Sequence, residues 1–427
     1  MLTRLQAPPY DVLAPHLPRG GAADPATAAA VRAILDDVRA RGDAAVEEHT
    51  RRLDGVDLPA DRWDLSGDSC QQALDRIAAP LRAALEVAVG RVLDFHARQV
   101  EHGFSDRDGE GTEIGMRVVP LDRVGVYVPG GKAAYPSTVI MSVVPAVVAG
   151  VQEIVVVTPP PAESRDAVLA AARLAGAHRV FQIGGAQAIG ALAYGTATVP
   201  RVDKIVGPGN RYVAEAKRQV VGAVGIDMVA GPTEVLVIAD ESADPRHVAA
   251  DLIAQAEHDE DACAWLVTTH PALVDAVDAE VARQLAAAPR RAIAERALAE
   301  HGVAVVVPSL AAAVEVANLR APEHVELLVE RPWSLVEEIR HAGAIFVGRD
   351  TPEAVGDYLA GPSHVLPTAG TARYVSPLGV YDFVKRISVI AYSPERLAQD
   401  AVHIVALAEA EGLAGHAAAV RARRSAD

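Results

Sequence analysis

The sequence predicts an α/β protein of doubly wound parallel sheets, with a small helical extension at its C-terminal end. Three observations carry this expectation. First, short runs of almost unbroken apolar, β-branched residues alternate with alanine-rich helical runs: "VGVYV" (124–128), "EIVVVTP" (153–159), "RVFQIG" (179–184), "DKIVG" (203–207), "EVLVIAD" (234–240), "AWLVTT" (264–269), "VAVVVP" (303–308) and "AIFVG" (344–348). Strands that are apolar on both sides need cover on both faces, which parallel sheets receive from crossover helices. Second, hydrophobic residues make up 50% of the chain but aromatic ones only 4%. Such a core is built from Ala, Val, Leu and Ile. Third, 427 residues exceed the size at which a single core keeps growing.

Taken in order, the chain reads as helical from Asp24 to about His102. Apolar positions in "AAAVRAILDDVRA" and "PLRAALEVAVGRVLDFHARQV" recur at intervals of three and four. The strand texture follows, and its eight runs are too many for one small sheet. A division near "AGPTE" (230–234) gives two α/β halves. The expected allotment is 1–23 and 106–231 to the first domain, 24–105 and 232–369 to the second by chain crossover, and 370–427 to a small C-terminal region. Beyond Gly370 the Val/Ile texture fades, and two helical runs are expected near 393–424.

Composition excludes several functions. A formal charge of −16 without a clustered basic surface argues against a nucleic-acid partner. Two cysteines, Cys70 and Cys263, cannot build a disulfide framework or a thiolate zinc site, which suits a reducing cytoplasm. The longest apolar run, "VIMSVVPAVVAGV" (139–151), is too short to span a bilayer and contains Pro145. The opening lacks the apolar core and cleavage-like site of a signal peptide. A soluble, cytoplasmic protein is expected.

In open α/β sheets ligands sit beyond the carboxyl ends of strands. Three loops there are rich in glycine: Pro129, Gly130 and Gly131 in "VGVYVPGGKAAYPS", the Gly-Gly of "IGGAQAIGALAYGT", and Gly207, Pro208, Gly209 and Asn210 in "IVGPGNRYVAEAK". Each can present backbone amides and a helix start to an anion such as a pyrophosphate. Glycines end many strands for structural reasons alone, but three such loops in succession favour a nucleotide. The G-x-G-x-x-G fingerprint is absent, so standard dinucleotide binding does not follow.

Four polar clusters stand out from the alanine-rich background. "AQAEHDEDA" places Gln255 and His258 three apart, so that both project from one helix face. "NLRAPEHVELL" carries Glu323 and His324 after a proline that forces an extended entry. "VGDYLAGPSHVLPT" carries Asp357 and His364, and "EGLAGHAAAV" carries Glu411 and His416. Singly, each reads as a solvated pair or a turn former. Together they offer oxygen and imidazole ligands suited to Zn²⁺ or Mn²⁺ rather than copper or an iron–sulfur cluster. There is no H-E-x-x-H or C-x-x-C.

From about residue 24 to 420, these strings occur in the order and spacing of the histidinol dehydrogenase family, which the chain resembles. "VGVYVPGGKAAYPSTVIM", "GGAQAIGALAYGT", "VDKIVGPGN", "AGPTEVLVIAD", "AEHDEDA", "APEHVELL", "GDYLAGPSHVLPT" and "EGLAGHAAAV" carry the resemblance. It implies two incomplete Rossmann-like domains, small C-terminal pieces and an intertwined homodimer with shared active sites. It implies NAD-dependent oxidation of L-histidinol to L-histidine in two steps, with one Zn²⁺ per subunit held by Gln255, His258, Asp357 and His416. The catalytic pair would be Glu323 and His324. Substrate contacts would be Thr233, His324, Glu411 and the metal ligands, with His364 a weaker candidate, and NAD contacts would be Tyr127, Gln187 and Asn210. Thr233 stands where serine is frequent in the family, and keeps the hydroxyl. Cys263 reads as a small buried residue opening a strand, with no cation placed to favour its thiolate.

The implied chemistry fits these residue types. Taking an alcohol to an acid requires repeated proton transfers, and imidazole, with a pKa near neutrality, can serve more than once. His324 is therefore expected to deprotonate the alcohol and the aldehyde hydrate, and Glu323 to activate water. The metal would position the amine and imidazole of the substrate, with Glu411 fixing the tautomer. Two alternatives remain. One is a zinc- and NAD-dependent dehydrogenase of the same superfamily for another small polyol or amino alcohol. The other is a non-catalytic nucleotide- or metal-binding scaffold.

Overall fold

The computed structural model describes residues 2–6, 10–17, 24–130, 135–160 and 165–424; Gly131 lies outside them. The chain divides into two compact units, one of Met1–Gln99 and Leu121–Phe383, the other of Val100–Pro120 and Val384–Asp427. Its strands in chain order are β1 (Thr3–Gln6), β2 (Phe104–Arg107), β3 (Glu113–Pro120), β4 (Arg123–Tyr127), β5 (Glu153–Val157), β6 (Arg179–Phe181) and β7 (Lys204–Val206). They continue with β8 (Gly225–Ile226), β9 (Glu234–Ala239), β10 (Cys263–Thr268), β11 (Val303–Val306), β12 (His324–Leu328), β13 (Ala344–Val347) and β14 (Val384–Ala391).

The larger unit holds two parallel sheets, β6-β5-β4-β7-β8 and β1-β11-β10-β9-β12-β13. Counted from its own first central strand, each follows the order 3-2-1-4-5 of doubly wound folds, with β1 added at the edge of the second. The apolar runs explain why both faces are covered. In β9 and β10, Val235, Val237, Ala264 and Leu266 point into one buried cluster, while Leu236, Ile238, Trp265 and Val267 point into the other. The same two-residue alternation divides Val124, Val126, Ile154 and Val156 from Val155 and Val157 in the first sheet.

The strand pairing reverses the expected allotment of the N-terminal segments. β1 pairs in register with β11 of the second sheet. The helices Pro25–Arg41, Asp68–Arg76 and Ala79–His96 pack instead on helices of the first sheet: Val31, Leu35 and Val38 share a cluster with Ile189 and Leu192, and Leu85, Ala88 and Val92 share one with Val139 and Val143. Their apolar stripes are legible in the sequence, but the partner that covers them is not.

The smaller unit contains a second departure. Residues 106–120 do not belong to the first α/β half: β2 and β3 form an antiparallel ladder that β14 completes, from Val384 opposite Pro120 to Ala391 opposite Glu113. The helices Pro394–Ala410 and Ala414–Arg424 follow, while residues 370–383, expected in the same region, fall in the larger unit. No helix among the described residues is long and apolar enough to cross a membrane.

A buried ion pair shapes the loop after β7. Lys217, on the helix Arg211–Val220, pairs with Asp227 and donates to the Gly207 carbonyl at 2.8 Å, while Asp227 accepts from the Gly207 amide at 2.8 Å. Gly207 has φ +107°, and a Cβ there would lie 2.2 Å from the Tyr127 carbonyl oxygen. Only glycine fits this close crossing of chains. Asp227→Ala would strand the Lys217 ammonium in the interior. We expect it to cost about 3–5 kcal/mol, read from the midpoint of urea unfolding; a loss below about 1 kcal/mol would show that the pair does not hold the loop.

Candidate active site

The glycine-rich loops gather at the carboxyl edge of the first sheet. Tyr127 ends β4, buried, and its hydroxyl accepts from the Gly185 amide at 3.2 Å. Burial pushes its pKa up to about 12. Asn210 caps the helix after β7, its side-chain oxygen accepting from the amides of Tyr212 and Val213 at 3.0 and 3.1 Å. Gln187, on the helix Gly185–Tyr194, is fully buried and donates to Asp54 at 3.1 Å. These residues hold the loops in shape, and Gln187 has no surface left to offer a ligand without moving.

In the second sheet the polar cluster sits at the opposite, amino edge. Glu323 and His324 enter β12 beside Glu234, the first residue of β9. The bend that brings them there follows Ala321, held at φ +50° at the end of the helix Leu310–Arg320. Glu234 is itself fixed by Arg320 at 2.5 Å and by the Ala369 amide at 2.8 Å.

His324 is 3% exposed, and its Nδ1 lies 3.0 Å from the Glu234 carbonyl oxygen. A carbonyl only accepts, so Nδ1 carries the proton and Nε2 keeps a free lone pair. Burial pushes the ring down to about 3, so it is neutral at neutral pH. Glu323 is buried too, accepting from the Thr233 hydroxyl at 2.6 Å and the Glu234 amide at 3.0 Å. Burial drives its carboxyl well above the usual range, against the pull of those two donors. A carboxyl raised in this way holds a proton more tightly than a solvated one, which makes it a stronger base than an ordinary carboxylate.

Thr233 joins this pair to Gln255. Its hydroxyl accepts from Gln255 Nε2 at 2.8 Å while it donates to Glu323. With the amide nitrogen engaged, Gln255 Oε1 is left buried without a partner. The helix carrying Gln255 is Pro245–Ala256, so His258 lies just past its end rather than on it. A turn with the His258 amide bonded to the Gln255 carbonyl at 3.3 Å continues the winding.

His258, Asp357 and Glu353 each offer one ligand atom, all within 4.8 Å of one another, a grouping able to hold a metal ion. An imidazole and two carboxylates make a donor set that suits a hard or borderline divalent cation, and the unpartnered Gln255 amide oxygen lies on the helix end that leads to His258. His364 backs Asp357, with Nδ1 3.0 Å from its carbonyl oxygen, and Nε2 3.3 Å from the Thr138 hydroxyl on the helix that follows β4. Burial lowers His364 to about 4.

Glu411 and His416 lie on the smaller unit, both exposed. Glu411 closes the helix Pro394–Ala410, and His416 stands in the first turn of Ala414–Arg424. Glu353, Glu234 and Arg320 escaped the sequence reading. Glu353 stands four residues before Asp357, the spacing of one helix face, yet an acid in a helix's first turn is usually a charge favoured by the helix dipole. Cys263 needs a correction: Arg320 does act on it, but burial dominates and keeps the thiol raised.

Replacing Thr233 tests the link. Thr233→Val would leave Gln255 Nε2 and Glu323 without their shared partner, and we expect a loss of about 1–3 kcal/mol in thermal unfolding, with Thr233→Ser close to the parent. Equal stability of Val and Ser variants would show that the hydroxyl holds neither group.

The profile of the histidinol dehydrogenase family matches residues 17–424. The chain is 54% identical over 406 residues to histidinol dehydrogenase from Chromobacterium violaceum, covering 94% of this chain and 93% of that one, and 52% identical to its namesake from Aquifex aeolicus, covering 92% of each. It is also similar to the crystal structure of histidinol dehydrogenase from Elizabethkingia anophelis, with a TM-score of 0.92, 34% identity and coverage of 99% and 98%. With this fold, these motifs and matches that span nearly its whole length, the chain belongs to the histidinol dehydrogenase family.

Proposed function

We propose that the chain oxidises L-histidinol to L-histidine through histidinaldehyde, with NAD as oxidant and one Zn²⁺ per subunit, in the last steps of histidine biosynthesis. The observation that carries this reading is the Thr233 hydroxyl, which bonds both the buried Glu323 carboxylate and Gln255, three residues before His258 of the grouping able to hold a cation. When bound, Zn²⁺ would supply a fixed positive charge that orients the substrate, and NAD would supply the hydride acceptor. Gln255, His258 and Asp357 would hold the ion, joined by His416. Glu411 would receive the substrate imidazole, and Thr233 would line its place.

His324 Nε2, free and unprotonated, takes the alcohol proton as the aldehyde forms. Glu323 takes a proton from the water that adds to the aldehyde. His324, once it has released that first proton to solvent, takes the hydrate proton as the acid forms. Each transfer uses a group whose buried surroundings exclude competing water. Tyr127, Gln187 and Asn210 would serve the nucleotide, Gln187 after a shift that uncovers it.

A homodimer suits the smaller unit, which leaves Ile390, Leu407 and Val402 between 62% and 70% exposed, as an interface with a second copy would require. The negative charge and the lack of a membrane-crossing helix among the described residues are compatible with a cytoplasmic place.

Counting product tests the reaction. Two NADH per L-histidinol are expected, with turnover lost on chelation and restored by Zn²⁺; one NADH, or turnover indifferent to chelator, would overturn the reading. His258→Asn should lose tight zinc and turnover together. A panel of small diols and amino alcohols oxidised better than L-histidinol would point instead to another substrate.

A further inference from the structure

Glu353 has no part in the chemistry above, yet its side chain is placed more tightly than that of any solvated acid. It is 3% exposed, and its Oε2 is buried without a partner. Its backbone amide donates at 2.8 Å to Oε1 of Glu326, which lies two residues beyond His324 on the same face of β12. The strand that carries the base therefore also pins the start of the helix Glu353–Tyr358, and one turn later that helix delivers Asp357.

Two distances give the carboxylate its meaning. One of its oxygens shares a 4.8 Å neighbourhood with ligand atoms of His258 and Asp357. Its Oε1 stands 3.7 Å from Nδ1 of His324. Asp357, Glu326, Glu323 and Asp251 all repel its charge, an accumulation of like-charged groups that is costly in a buried place unless a cation answers it.

We propose that Glu353 is a further member of the cation-holding set, and that the same carboxylate couples the ion to the base by lying between the metal group and the Nδ1 edge of His324. Resting on the metal site of the proposed function, this adds a residue to it. Glu353 thus serves as a positioning residue for His324 and as a source of charge for the ion.

The test uses the full-length chain, stripped of metal, with Zn²⁺ titrated against a chromophoric chelator in the absence of NAD and L-histidinol. Glu353→Gln should weaken zinc by about 10- to 100-fold, while the metal-free variant melts within a few degrees of the metal-free parent. Glu353→Asp, which keeps the charge at shorter reach, should fall between. His258→Asn is the control. If His258→Asn loses zinc and Glu353→Gln binds as tightly as the parent, this inference fails while the metal site stands. If His258→Asn also binds like the parent, the metal site itself fails and takes the inference with it. Should Glu353→Gln not fold, Glu353→Asp decides, and unchanged zinc affinity in that variant overturns the proposal.

Discussion

One hydroxyl group sets the geometry on which the rest depends. Thr233 Oγ1 accepts from Gln255 Nε2 and donates to Glu323 Oε2. Because a hydroxyl has a single proton, its direction is fixed by the carboxylate that receives it, and the amide on its other side must then present nitrogen. Gln255 Oε1 is thereby turned away from Thr233. An amide that could flip in a looser setting is held in one orientation, with its oxygen buried and unpartnered.

The two sheets use their edges differently. In the first sheet the glycine-rich loops lie at the carboxyl ends of the strands, where doubly wound folds place ligands. In the second sheet Glu234, Glu323 and His324 lie at the amino ends of β9 and β12. The contact from His364 to Thr138 joins the loop behind Asp357 to the helix that leaves β4. The polar cluster at the amino edge of the second sheet and the helix that leaves β4 are thus connected within one compact unit, with buried apolar clusters on both faces of each sheet keeping the strands rigid.

Much of this was legible in the sequence, for physical reasons that can be named. Strands such as Glu234–Ala239 announce themselves because both faces are covered and every residue is apolar after the first. The break between the two sheets falls between Ile226 and Glu234, where proline and glycine interrupt the pattern. Partners were less legible than elements: the helical stripe of Pro25–Arg41 looks the same whichever sheet it covers, and β1 pairs through backbone groups that carry no side-chain signature. β2 and β3 alternate too weakly to read as strands before β14 is seen to complete their ladder. Within the site, Gln255, His258, Asp357 and the Glu323–His324 pair could be singled out by residue type. Glu353 could not, since the same acid in the same first turn is ordinary on a solvated helix; only its burial against His324 distinguishes it.

The most direct test is anomalous diffraction at the zinc edge from crystals of the full chain grown with Zn²⁺. The Thr233 relay requires a single strong peak bounded by Gln255 Oε1, a ring nitrogen of His258 and the Asp357 carboxylate, with Gln255 Nε2 still on the threonine. A peak elsewhere, or one that Gln255 faces with its nitrogen, would contradict it.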